Sequence, residues 1–205
     1  NLSMFHTNKQ LALDKANGDW ILQLDADEVV DKQLKQSIKA VLASQGHPLQ
    51  GYYLKRKNFF LGHWLTKGGQ YPDPVIRLVR RGQASFPQIS VHEQIKVNGS
   101  TATLAGHLLH RTAPTFSRYL TNANRYTSLT AQELVQKKVN FHLFNLLNYL
   151  IFKPAGTFIS LFIRHKGFVD GLPGFIFALF SGLHWPLAYT KYWELTYVKA
   201  KQLLK

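Results

Sequence analysis

The sequence predicts an α/β fold, and three observations carry that prediction. Trp20-Ile21-Leu22-Gln23-Leu24 is a short apolar run, opened by Gly18-Asp19 and closed by Asp25, Asp27 and Glu28. Its length suits a strand of a covered sheet better than a helix. A helical pattern stands before it and another after it, and helix–strand–helix in that order is α/β construction. The composition, 45% hydrophobic and 18% charged, provides for a sizeable core. Ligands of open α/β sheets bind beyond the carboxyl ends of the strands, where the three acids stand.

The elements follow in order. Thr7-Asn8-Lys9-Gln10 has the spacing of a capping box ahead of Leu11, Ala12, Leu13 and Ala16, and Gly18 is placed to end that helix in a left-handed conformation. Asp31 is a predicted N-cap for a helix with Leu34, Ile38, Val41 and Leu42 on one face, ended by Gly46 and Pro48. Gly51 to Asn58 is a strand with a basic end, Lys55-Arg56-Lys57, read as a solvated strand edge. Residues 59–70 form a glycine-rich loop that contains Trp64, and Val75 to Val79 is a further strand. Ser90 to Val97 alternates and meets Asn98-Gly99, a hairpin signal, with Thr101 to Leu104 as the return strand. Thr115 to Lys138 is a long amphipathic helix. Beyond Asn140 come apolar, aromatic pieces, interrupted at Lys153-Pro154 and at Arg164-His165-Lys166-Gly167. Read this way, no piece reaches the ~20 uninterrupted residues of a membrane span. The pieces suit interfacial helices or a buried helical subdomain, with spanning by Gly171–Leu187 the lesser option.

The chain carries 25 Lys and Arg against 11 Asp and Glu, a formal charge of +14. That excess points to a polyanionic partner: nucleic acid, an anionic membrane surface or phosphate-rich substrates. No recognised nucleic-acid motif accompanies the charge, so nucleic acid is set aside. The absence of cysteine excludes disulfides and Cys-ligated metal centres. The first residue is Asn1 and no basic-then-apolar leader follows, so the expectation is a piece that lacks a signal peptide and its N-terminal part.

Several residues are suited to chemistry. On a strand, Asp25 and Asp27 would point the same way and could hold Mg²⁺ or Mn²⁺ together with substrate phosphates. Arg77, inside the apolar strand Val75 to Val79, calls for a specific partner. Asp73 sits in a stiff turn between Pro72 and Pro74. Glu93, next to His92, could act as a general base if it borders the metal site. His110 ends an apolar run and could be a third metal ligand, a phosphate contact or a structural histidine.

Asn8 to Leu13 followed by Ala16 to Glu28 resembles the second half of the catalytic domain of family-2 glycosyltransferases, above all those of bacterial lipopolysaccharide-core and related surface-glycan synthesis. Further matches run through Asn58-Phe59-Phe60-Leu61-Gly62, Gly68 to Asp73, Arg77 to Gly82, Val91-His92-Glu93 and Gly171-Leu172-Pro173-Gly174. The resemblance implies a GT-A (Rossmann-like) nucleotide-sugar transferase core, partial, over residues 1–112, and a helical, aromatic and basic extension over 113–205. It implies a nucleotide-sugar donor and a divalent metal, Mg or Mn, on the donor diphosphate. Asp25 falls on the ribose or metal side, Asp27 on the metal, and His110 completes the metal site. Glu93 is carried over as the base and Asp73 as the second choice, although His92-Glu93 stands where the family has Glu-Asp. Arg77, Trp64 and His92 are placed among the substrate contacts.

The function expected is metal-assisted, inverting sugar transfer to a hydroxyl of a surface glycan or lipid-linked acceptor. The enzyme would lie peripherally at the inner face of the cytoplasmic membrane. The family's nucleotide-base-binding units are not among these residues, so the isolated piece is expected to be inactive. Two rivals are a nucleotidyltransferase with a similar acidic strand and a non-enzymatic basic module.

Overall fold

The computed structural model describes residues 5–44, 46, 48–86 and 94–198. In chain order the elements are α1 (Phe5–Asp14), β1 (Trp20–Leu22), β2 (Glu28–Val30), α2 (Lys32–Ala43), β3 (Gly51–Phe60), β4 (His63–Trp64), β5 (Pro74–Arg80), β6 (Ala84–Ser85), β7 (Lys96–Val97), β8 (Thr101–Ala113) and α3 (Phe116–Gln136). Two long helices follow, α4 (Leu143–Arg164) and α5 (Gly167–Tyr197). The chain divides into two compact units, one of Asn1–Asn58 with Tyr71–Arg111, the other of Phe59–Gln70 with Thr112–Lys205. The glycine-rich segment 59–70 thus belongs with the helical part.

The first unit is mixed α/β. Its sheet has the order β1-β5-β3-β8-β2. The pairs β1/β5, β3/β5 and β2/β8 are antiparallel, with Ile21 opposite Val79, Tyr52 opposite Leu78 and Val29 opposite Leu109. The covered strand expected at Trp20 is three residues long, half-buried and at the end of the sheet. The strand covered on both faces is β5. Val75 and Leu78 enter a core with Leu34, Ile38, Val41, Tyr52, Leu54 and Leu108, while Ile76 and Val79 pack with Leu13, Phe86 and Ile95.

Helix α2 forms as expected, with Leu34, Ile38 and Val41 buried, although Leu42 is exposed. Its close seat on β8 rests on Gly106, at φ +96°, where a Cβ would stand 2.2 Å from the Leu34 nitrogen. Asp31 is the N-cap, accepting from the Leu34 N–H at 2.7 Å, and it also accepts from the His107 N–H at 3.0 Å. Asp31→Ala removes both contacts. It is expected to lower stability by about 1–2 kcal/mol, read as a shift of the urea midpoint with unchanged slope.

Two local expectations fail. Helix α1 begins at Phe5, so Thr7 lies inside it, and it ends at Asp14 with Gly18 outside the left-handed region. The Gln10 side chain, instead of reaching back to a cap, donates to Asp14 Oδ1 at 2.6 Å and accepts from the Phe86 N–H at 2.7 Å. Asn98-Gly99 is a turn, but β7 pairs with β6, so the turn joins two sheets instead of closing a hairpin. Residues 90–93 of the expected strand lie outside the described residues.

In the second unit Phe59 and Phe60 pair with Trp64 and His63. Thr115 caps α3, accepting from the Arg118 N–H at 3.2 Å. Lys153-Pro154 does not interrupt α4. The helix passes through it on π-type turns at Asn148–Phe152 and Ile159–Arg164, and the Lys153 N–H reaches the Asn148 carbonyl five residues back. Both α4 and α5 are therefore long and apolar enough to cross a membrane, by length and composition. They pack antiparallel: Tyr149 stacks on Tyr189 at 5.0 Å, and a Cβ on Gly182 would stand 2.7 Å from the Pro154 carbonyl.

Candidate functional site

The acidic segment owes its place to the strand order. Between Leu22 and Glu28 the chain passes from one end of the sheet to the other. Four strand spacings are ~19 Å. Six extended residues reach ~20 Å at most. The Glu28 N–H donates to the Asp25 carbonyl at 3.0 Å, so part of that reach is spent in a turn. The sheet must curl toward the segment, and the segment must cross the intervening strands. It does: the Gln23 N–H donates to the Arg77 carbonyl of β5, and the Arg111 N–H of β8 to the Asp27 carbonyl, both at 2.9 Å.

Because Asp25 and Asp27 stand in this turn, strand alternation does not govern them. Asp25 turns toward cations. Its Oδ1 accepts from Lys9 Nζ at 2.6 Å and its Oδ2 from Arg77 Nη2 at 2.6 Å. Burial pushes the Asp25 carboxyl up, but the Lys9 hydrogen bond and the Arg77 charge outweigh it, and its pKa lies below the ordinary value. Asp27 points elsewhere. Its side chain is 45% exposed, with Oδ2 3.6 Å from His110 Nε2.

Arg77 has the specific partners its sequence position called for. It donates to Asp25, to Gln23 Oε1, and from Nη2 to Glu28 Oε1 at 2.7 Å. The Glu28 side chain is 0% exposed. Arg56 Nη1 stands 3.6 Å from the same oxygen. Arg56 is therefore no solvated edge. It also grips Asp73 Oδ2 through Nε at 2.9 Å and Nη2 at 2.6 Å, beside Asn58 Nδ2 at 2.8 Å.

Asn58 links this cluster to His110. Its amide nitrogen donates to the Asp73 carboxylate, so its oxygen accepts from His110 Nδ1 at 2.7 Å. Burial and the Arg56 charge lower the His110 pKa. A neutral ring that donates from Nδ1 presents the Nε2 lone pair to the Asp27 carboxylate. Two acceptors facing each other are an arrangement that a cation satisfies, and the Asn58 contact is the outer hydrogen bond that fixes a ligand histidine. Among the described residues no three His, Asp or Glu side chains are grouped to hold a metal alone. A single carboxylate completed by substrate phosphates can hold Mg²⁺ or Mn²⁺, and the added imidazole nitrogen suits the transition ion Mn²⁺ better than Mg²⁺. The residues present therefore fit such an ion with Asp27 and His110 as donors. Asp25, with both oxygens on cations, stands outside the pair.

Beside this cluster Tyr71, His107 and Asp31 form a chain, with Tyr71 Oη 3.0 Å from His107 Nε2 and His107 Nδ1 3.3 Å from Asp31 Oδ2. The nitrogen facing the carboxylate donates, which leaves Nε2 to accept from the tyrosine hydroxyl. His92 and Glu93 lie outside the described residues. Trp64 belongs to the second unit, half-buried on β4 opposite Phe59. There Asp170 accepts from the Thr66 N–H at 3.0 Å, the Thr66 hydroxyl at 2.7 Å and the Lys67 N–H at 2.9 Å, which anchors the glycine-rich segment to the start of α5.

Sequence reasoning missed Lys9, Gln23, Arg56 and Asn58 as parts of the cluster, and it placed Glu28 among the acids without its pairing to Arg77. The signal for two of them was available. Period two on β3 puts Arg56 and Asn58 on the same face as Leu54, whose side chain is core, and sets Lys55 and Lys57 on the other.

No protein-family model matches the chain. It is similar to the lipopolysaccharide core biosynthesis glycosyltransferase LpsC of Rhizobium meliloti, 28% identical over 197 residues, 94% of this chain and 70% of that protein. It is also similar to an uncharacterized glycosyltransferase of Rickettsia typhi, 26% identical over 178 residues, 82% of this chain and 60% of that protein. A third relative, an uncharacterized glycosyltransferase of Rickettsia conorii, is 24% identical over 210 residues, 95% of this chain and 69% of that protein. The chain thus spans 60% to 70% of the length of these three relatives. All three are named glycosyltransferases.

Proposed function

We propose that the protein works in sugar transfer, moving a glycosyl group from a nucleoside-diphosphate donor to a hydroxyl of a surface glycan or lipid-linked acceptor in lipopolysaccharide-type synthesis. The observation that carries the reading is the acidic turn laid across the sheet, with Asp27 exposed beside His110 and the neighbouring acids held by Arg77. Similarity to named glycosyltransferases along most of the chain supports it. The reading includes a family-2, GT-A-type core with Mg²⁺ or Mn²⁺.

Asp27 and His110 would hold the divalent ion, which when bound offsets the charge on the departing diphosphate. Asp25, fixed by Lys9 and Arg77, faces the ribose side of the donor. Arg77 is spent on Gln23, Asp25 and Glu28, so its part is positioning and not direct contact with the diphosphate. Glu93 takes the proton of the acceptor hydroxyl as its oxygen attacks the anomeric carbon and the bond to the diphosphate breaks. Asp73 is the second choice, since its Oδ2 is committed to Arg56 and Asn58. Attack opposite the leaving group inverts the anomeric centre. The site of action is the inner face of the cytoplasmic membrane.

The test is a donor screen of the complete protein with Mg²⁺ or Mn²⁺. Release of nucleoside diphosphate together with a glycosylated acceptor is the expected result, whereas pyrophosphate release would move the assignment to nucleotidyl transfer. Residues 1–205 alone are expected to show no turnover, because β1 then ends the sheet and further pairing would have to be supplied. Turnover by these residues at the rate of the complete enzyme would contradict that.

A further inference from the structure

The helices α4 and α5 are apolar on the outside and polar on the inside. Between Leu143 and Ile163 every exposed residue is Leu, Ile, Phe, Ala or Gly, among them Phe144, Phe152, Ile159 and Ile163. The polar residues of the same stretch, Asn145, Asn148, Lys153, Thr157 and Ser160, are all half-buried. Lys153 lies over the rings of Tyr149 and Trp185, with centroids 3.9 Å and 4.3 Å from its ammonium, and Thr157 accepts from Trp185 Nε1 at 2.9 Å. Helix α5 repeats the arrangement. From Leu172 to Leu187 its exposed residues are Leu172, Phe175, Leu179, Leu183 and Leu187, a stripe at helical spacing with exposures of 36% to 68%. Its buried positions include Gly174, Ala178 and Gly182, and its polar residues, Ser181 and His184, are half-buried. Water selects the opposite arrangement, since it would expose the amides, hydroxyls and ammonium and bury the Leu and Phe side chains. Hydrocarbon selects this one, with small residues where helices meet and polar groups turned inward.

We infer that the outer face of the α4–α5 pair is embedded in an anionic lipid bilayer. Two observations select that occupant over another protein surface. From Leu143 to Ile163 and from Leu172 to Leu187 the exposed residues are apolar without a polar interruption, where protein interfaces carry a polar rim and hydrogen-bonding groups. The surrounding charge is positive: residues 112–205 hold eleven Lys and Arg against three Asp and Glu, with Arg164, His165 and Lys166 exposed at the turn that joins the helices. The helices lie in the plane of the leaflet and do not cross it. Helix α3 flanks α5, Lys191 reaching Asn124, Thr127 and Ser128, and the segment 59–70 is tied to the start of α5 through Asp170. A spanning pair would carry those polar pieces into hydrocarbon. The inference shares only the membrane location with the proposed activity. A protein that embeds but transfers no sugar would keep the one and lose the other.

The chain has no cysteine, so single cysteines at Ile159, Leu172, Leu179 and Leu183, each carrying a nitroxide label, report on these positions alone. With vesicles of phosphatidylglycerol and phosphatidylcholine, collision with oxygen is expected to rise and collision with a water-soluble nickel chelate to fall several-fold at all four. A label at the exposed Thr190 should not change. Binding should persist in molar salt once formed. Leu179→Glu with Leu183→Glu should weaken partitioning to the vesicles by about tenfold or more. Should that variant misfold by circular dichroism, the label series still decides. Unchanged collision rates overturn the inference, as does loss of chelate access before vesicles are added, which would place a second copy on the stripe. Release by salt alone also overturns it, in favour of adsorption through charge.

Discussion

Asp27→Ala is expected to lower sugar transfer by the complete protein by about 10³-fold or more, with circular dichroism and thermal midpoint unchanged. The effect is large because Asp27 is the exposed carboxylate of the turn, with no cation bonded to it among the described residues, and its partner is the Nε2 lone pair of His110. It should be small for folding, since the Asp27 side chain is 45% exposed and stands 3.6 Å from His110, beyond hydrogen-bond distance. The measurement is nucleoside diphosphate release at saturating donor across a Mn²⁺ titration. Retained function in Asp27→Ala would favour the non-enzymatic basic module.

Arg77→Met is expected to destabilise the first unit by about 3–5 kcal/mol. That corresponds to a drop in thermal midpoint of more than about 10 °C for a unit of this size. The guanidinium is shared by Gln23, Asp25 and Glu28, and the Glu28 side chain is fully buried. Removing it leaves a buried carboxylate with the Asp25 N–H at 3.0 Å and Arg56 at 3.6 Å. Glu28→Gln alone should also destabilise, whereas the double variant Arg77→Met with Glu28→Gln should lose less than the sum, because it removes both charges. Additive losses in that cycle would show that the two side chains act independently.

Much of the first unit was legible in the residues. Asp31 as a cap, the buried face of α2 and the strands at Gly51 and Val75 rest on patterns a few residues long, and they form as those patterns require. Arg77 was legible as a residue in need of a partner, because a guanidinium inside an apolar strand cannot stay unpaired. Glu28 as that partner was not legible, since 49 residues separate the two. Arg56 was read as one of three exposed basic residues, because charge in a run hides which member faces inward.

The second unit shows where local reading fails for a different reason. Lys153-Pro154 breaks a helix in water when nothing compensates. Here π-type turns reroute the hydrogen bonds and two aromatic rings take the ammonium, so α4 continues. Whether a proline ends a helix depends on what packs against it, and that is tertiary information.

By itself, the sequence determined that an acidic turn follows a short strand, that basic and acidic residues stand ready to pair, and that the last third is apolar and cationic. These follow from residue type and spacing. Only the tertiary structure decided that Asp25 and Asp27 serve different partners, that β5 and not the strand at Trp20 is covered on both faces, and that α4 and α5 turn their apolar sides outward. Each of these depends on strand order or helix pairing. Those are set by contacts between residues far apart in the chain, where no local pattern reaches.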